Sequence, residues 1–140
     1  EVKKFPVTFQ KFPGYNSVLL THRMLETIIT RNEPTWKSAL LNMKGVYLIV
    51  DNYGGNMYVG SASGDDAIWS RWKEYSKNLH GGNVLLKKFV KKKGLDYCSN
   101  NFQYSILEIF HMNTPAKDII NRESFWKDIL KTRTFGFNRN

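Results

Sequence analysis

Val46-Tyr47-Leu48-Ile49-Val50 is a near-continuous run of β-prone residues, the pattern of a strand covered on both faces. Asp51-Asn52-Tyr53-Gly54-Gly55-Asn56 follows it and is a turn by composition. Met57 to Gly60 then resumes the apolar pattern, so the two runs predict an antiparallel hairpin with its first strand central. Phe102 to Phe110 alternates well enough for a third strand. Elsewhere the period is helical. Leu25, Ile28 and Ile29 predict one short helix, and Trp36, Leu40 and Met43 a second, which Asn32 and Glu33 before Pro34 would start. Asp65 or Asp66 is placed to cap a helix with Ile68, Trp72, Tyr75 and Leu79 on one face. His80-Gly81-Gly82 breaks that helix, and Asn83 is placed to cap the next. There Leu85, Leu86, Phe89 and Val90 face inward and Lys87, Lys88, Lys91 and Lys92 outward. Thr114 and Pro115 open a last helix that runs to Leu130. Residues 1–16 carry Pro6, Pro13 and Gly14 among Phe5, Phe9, Phe12 and Tyr15, an extended segment that lies on something through its aromatics. The expectation is an α+β fold: a small three-stranded antiparallel sheet flanked by helices. Residues 1–42 would form an N-terminal extension and residues 43–140 the main domain.

Composition narrows the partners. A chain of 140 residues is normally one domain with room for a core, and 41% hydrophobic and 14% aromatic residues argue against disorder. The net charge is +9 and the pI about 9.7, a balance that suits a polyanion. Cys98 is the single cysteine, so neither an internal disulfide nor a cysteine zinc site can be assembled, and a reducing, cytoplasmic setting is preferred. No apolar run approaches the roughly 20 residues of a membrane span, and no signal peptide is recognisable. The first residue is Glu1 rather than Met, which leaves an excised domain open.

Glu123 is the most informative single position. Ile119, Glu123, Trp126 and Leu130 step by helical intervals, so a carboxylate stands where the inward face expects an apolar side chain. An unpaired buried carboxylate is costly, so it needs a cation, a metal or strong donors. The plainer alternative is an ion pair with Lys127 or Arg122 at the edge of the face. Arg71 sits on the helix after the second strand, where a lone arginine is ordinarily solvent-facing. Tyr75 follows four residues later and suits either a site or the apolar stripe. The lysines at 87–93, around Phe89 and Val90, form either a phosphate-tracking surface or a solvated face. His80, beside two glycines, is either a phosphate contact or merely exposed.

Gly45-Val46-Tyr47 and Tyr58-Val59-Gly60, followed by Arg71, Glu123 and Gly136-Phe137-Asn138, resemble the GIY-YIG nuclease family, with valines in place of both isoleucines. The resemblance covers residues 43 to 140. It implies a site of Tyr47, Tyr58, Arg71, Tyr75, Glu123 and Asn138, with Glu123 as the metal ligand. Arg71 would hold the scissile phosphate, since a guanidinium donates to two oxygens and stays charged. Tyr47 would take a proton from the attacking water. An ordinary tyrosine has a pKa of about 10, so that role demands positive charge nearby. Asn138 would hold the site together, unless so late a residue is simply frayed. Lys87, Lys88, Lys91, Lys92 and His80 would contact the backbone of DNA, expected to be double-stranded. With one carboxylate persuasively placed, a single Mg²⁺ or Mn²⁺ is expected, and cutting would leave 5′-phosphate and 3′-hydroxyl ends. Trp69-Ser70-Arg71-Trp72 and His80-Gly81-Gly82-Asn83 lean toward restriction-like members, with phage and mobile-element nucleases as the other branch. Specificity would then come from a homodimer with the first forty residues, or from a targeting domain outside this chain. Two other readings compete. One is a catalytically silent nucleic-acid-binding module, although every matching polar residue is present. The other is an RNA-directed or nucleotide-binding protein, for which Gly60-Ser61-Ala62-Ser63-Gly64 is too loose a phosphate loop.

Overall fold

The computed structural model describes residues 10–139. Its elements run β1 (Leu19–Thr21), α1 (His22–Arg31), α2 (Pro34–Leu41), β2 (Lys44–Asp51), β3 (Met57–Ala62), α3 (Ala67–Asn78), α4 (Val84–Lys93), α5 (Leu95–Asn101), β4 (Phe102–Phe110), α6 (Ala116–Leu130) and α7 (Thr132–Phe135). The strands form one antiparallel sheet in the order β1-β4-β2-β3, so β2 is central as its apolar run predicts. The sheet has four strands rather than the expected three. The added strand, β1, is three residues long, too short to show an alternation.

Alternation sorts the sheet into two faces. Tyr47, Ile49 and Tyr58 share the larger core with side chains of α1, α2, α3, α4 and α5, including Leu25, Trp36, Trp72, Leu86 and Cys98. Val46 and Val59 point the other way, onto Ile119 and Trp126 of α6. The β2–β4 register slips between Val46, opposite Glu108, and Tyr47, opposite Ile106, leaving Leu107 unmatched. The N-terminal portion is part of the main core: Val18, Leu20, Ile28 and Leu40 are buried in it, and Phe12 packs edge-on against Trp36. Phe5, Pro6 and Phe9 of the expected aromatic segment lie outside the described residues.

The helix starts follow side-chain chemistry unevenly. Glu33 caps α2 by accepting from the Thr35 and Trp36 amides, with Pro34 in the first turn. Asp66 stands at the start of α3 but its carboxylate makes no cap bond, and Asp65 makes none either. The backbone explains this: Asp66 has ψ of 8° rather than the extended value a cap needs, and Ala67 follows in the left-handed region at φ 55°. Asn83 precedes α4 without capping it, because its carboxamide is drawn elsewhere. Helices α5 and α7 were not foreseen from the sequence. Cys98 of α5 is buried and free, and burial pushes its thiol up to about 11. No helix among the described residues is long and apolar enough to cross a membrane.

Candidate active site

The expected residues meet around β3, an outer strand of the sheet. Gly60 lies opposite Tyr47, and a Cβ there would stand 2.5 Å from the Tyr47 hydroxyl. Glycine is therefore required at this point by close approach. The Tyr47 ring is 1% exposed and edge-on to Trp72 and Tyr75.

The Tyr75 hydroxyl is the hub. It lies 2.8 Å from the Tyr47 hydroxyl, and it receives Asn83 Nδ2 at 2.9 Å and Arg71 Nη2 at 3.3 Å. Either phenol can donate in the Tyr47–Tyr75 bond, and the bond to Tyr75 favours the neutral form of Tyr47. Tyr75 connects the Arg71 cation to Tyr47. The same cation lies over the Tyr75 ring, 5.3 Å from its centroid. Gly81, with φ 56°, lies against this ring, which leaves no room for a Cβ. Of the two readings open for Tyr75, core and site, burial bears out the core one, while its hydroxyl also joins the candidate site residues.

Burial raises the Tyr47 pKa well above 10, and the neighbouring Tyr75 and Tyr58 raise it further. Arg71 pulls it down, but less strongly. Tyr58 is raised by the same desolvation, with Tyr75 and Glu123 adding to it. In the free protein both are neutral phenols at pH 7.

Tyr58, Glu123, Lys127 and Asn138 line a cleft of about 290 Å³, with Asn83, Arg139 and the start of α4. Glu123 projects from α6 and Tyr58 from the opposite face of the sheet; they meet because β3 is the outer strand. The carboxylate is 15% exposed. Its Oε1 accepts from the Ser61 hydroxyl, and its Oε2 lies 2.8 Å from Lys127 Nζ. The alternative ion pair with Lys127 is thus present, and it lies inside the site. Arg122 instead binds Glu108 Oε1 at 2.7 Å, which Trp126 Nε1 also reaches at 2.9 Å. These two bonds fix the rotation of α6 and hence the aim of Glu123.

Asn138 is not frayed. Its carboxamide accepts from the Val59 amide and donates to the Val59 carbonyl, both at 2.9 Å, completing the free edge of β3. Lys87, Lys88 and Lys91 border a groove of about 340 Å³ that shares Gly82 and Val84 with the cleft. Lys92 is exposed on the same helix but borders neither. His80 also borders neither. Its Nδ1 accepts from the Gly82 amide at 2.8 Å, and burial and Lys87 lower its pKa.

Sequence reasoning had no site role for Ser61 or Asn83. Ser61 was legible as the same-face neighbour of Val59, two residues along β3. Asn83 resembled a helix cap and nothing in its context contradicted that.

Among the described residues no three His, Cys, Asp or Glu side chains gather into a metal-holding group. A lone carboxylate facing a roomy cleft suits a hard ion that keeps most of its waters, as Mg²⁺ does, and does not suit zinc.

This glycine–tyrosine hairpin, arginine helix and glutamate helix define a nuclease-type fold, and the chain belongs to the GIY-YIG family: the GIY-YIG catalytic domain matches residues 43–138. Among curated relatives, intron-associated endonuclease 1 of Enterobacteria phage T4 is 34% identical over 95 residues, which cover 67% of this chain and 36% of that protein. The chain therefore matches about a third of that relative's length. Among solved structures, the catalytic domain of homing endonuclease I-TevI is 31% identical with a TM-score of 0.50, over 68% of this chain and 96% of that one. A point mutant of the same catalytic domain is 28% identical with a TM-score of 0.52, over 70% and 94%.

Proposed function

We propose that this chain is an endonuclease domain that hydrolyses phosphodiester bonds of double-stranded DNA with one Mg²⁺ or Mn²⁺, leaving 5′-phosphate and 3′-hydroxyl ends. The observation that carries the reading is the meeting, around one outer strand, of a single carboxylate, a guanidinium and a hydrogen-bonded set of phenols. Glu123 would hold the ion, which when bound supplies Lewis-acid stabilisation to the phosphate and the leaving 3′ oxygen. Arg71 shares the charge that develops on the phosphate, and its position is set by Tyr75. Tyr58 enters as a neutral phenol that orients the attacking water or a phosphate oxygen. Tyr47 would take the water's proton only in its phenolate form, a fraction that burial keeps small at neutral pH. Asn138 keeps β3 in register with these groups. Lys87, Lys88, Lys91 and Lys92 track the duplex backbone leading into the cleft, which positions DNA without reading its sequence. The named relative is intron-associated, which favours the mobile-element branch over a restriction role. The catalytic residues would all come from residues 43–140, with residues 1–42 supporting them through the shared core. Sequence selectivity would come from a further DNA-targeting segment or from pairing of two copies.

The test is nicking and cleavage of supercoiled plasmid by the wild type, Glu123→Ala and Arg71→Ala in Mg²⁺, Mn²⁺ and EDTA. Cutting should need the metal and disappear in both variants. Cutting in EDTA, or by Glu123→Ala at the wild-type rate, would overturn the one-metal reading.

A further inference from the structure

Lys127 is paired with Glu123, the residue that would hold the metal ion. Its Nζ lies 2.8 Å from Oε2, with the two side chains only 12% and 15% exposed, while the Ser61 hydroxyl occupies Oε1. Glu123, the only carboxylate lining the cleft among the described residues, thus has both oxygens engaged and an ammonium beside its charge. An ammonium and a divalent cation on one carboxylate oxygen would lie within a few ångströms of each other, where like charges repel strongly at reduced dielectric. Mg²⁺ also approaches oxygen more closely than an ammonium does, at about 2.1 Å. The two therefore disfavour one another. Lysine has a flexible four-carbon stem, and Lys127 borders an open cleft of about 290 Å³ into which its head can turn.

We infer that Lys127 is a resident counter-ion that holds Glu123 against divalent metal, and that it releases the carboxylate by transferring its ammonium to a phosphate arriving in the cleft. The inference rests on Glu123 as the metal ligand. Metal and substrate then assist each other: the phosphate draws Lys127 away and exposes the carboxylate, and by reciprocity the metal frees an ammonium for the phosphate. The protein alone binds divalent ions weakly. Lys127 is a positioning residue in this scheme, acting through Glu123.

Mn²⁺ alone, followed by electron paramagnetic resonance of the free ion, tests this on the wild type, Lys127→Met, Lys127→Arg and Glu123→Gln, each checked for folding by circular dichroism. Lys127→Met should bind Mn²⁺ at least about tenfold more tightly than the wild type, the scale of a typical coupling between sites. Lys127→Arg should stay near the wild-type value and Glu123→Gln should lose the site. Unchanged or weaker binding by folded Lys127→Met, with binding lost in Glu123→Gln, overturns the counter-ion and leaves the metal reading intact. Binding that survives Glu123→Gln overturns both. The wild type supplies a readout free of any substitution: Mg²⁺ titration should shift the Lys127 Cε resonance in ¹³C NMR. A resonance that does not move at saturating Mg²⁺ also overturns the proposal.

Discussion

Gly60 is the residue at which the family's glycine acquires a physical reason. Its missing Cβ is the space filled by the Tyr47 phenol. Gly60→Ala should displace a buried ring that Trp72 and Tyr75 hold in place, at a cost of about 1–3 kcal/mol by the usual penalty for overpacking. Urea unfolding measures that cost, and plasmid cleavage should fall much further than stability does. Tyr47 itself makes a prediction about pH. A base must be deprotonated, and burial lifts this phenol above 10. The competent fraction then grows about tenfold per pH unit below the pKa. The cleavage rate of the wild type should rise with that slope from pH 7 to 9, and Tyr47→Phe should lose both rate and slope. A plateau near pH 8 would assign the proton to another acceptor. At this scale the sequence was most legible at Glu123, where a charge interrupts an apolar stripe. Its neighbours were harder to read. Lys127 and Arg122 are equally spaced candidates for an ion pair, and only the Glu108 carboxylate, from a strand far away in sequence, decides between them. No periodicity carries that information.

The elements were legible in proportion to their length. The run in β2, the alternation in β4 and the stripes of α1 to α4 and α6 are long enough for their periods to be recognised. β1 is three residues long and owes its existence to β4, against which Leu20 pairs with Tyr104. It joins a segment that sequence reasoning treats as an extension to the sheet of the main unit. Deleting residues 1–42 should therefore do more than shorten the chain. It would uncover the β4 edge and remove Leu20, Leu25, Ile28, Trp36 and Leu40 from the larger core. The truncated protein should aggregate or melt far below the intact one, which gel filtration and thermal circular dichroism would reveal. A soluble, active fragment of residues 43–140 would mean that this core is dispensable.

Across the molecule, the excess charge has a direction. Lys87, Lys88 and Lys91 border a groove that runs into the cleft, so part of the +9 is arranged along a path to the site. Binding to duplex DNA should weaken linearly with the logarithm of salt concentration, with a slope of about −0.9 for each phosphate neutralised. Changing Lys87, Lys88 and Lys91 to Gln together should flatten that slope by about 2 to 3. Fluorescence anisotropy between low and moderate salt measures it. An unaltered slope would move the DNA path off α4.

The clasp of Asn138 on Val59 would also govern when the proposed nuclease becomes active. Ribosomes deliver the hairpin and Arg71 early, Glu123 later and Asn138 near the end of the described residues. A nascent chain that has already folded β2, β3 and α3 still lacks its carboxylate and has the outer edge of β3 open. Cutting power would therefore emerge only after Asn138 has been translated, later than the hairpin that carries Tyr47 and Tyr58. Prematurely terminated products would be released without it.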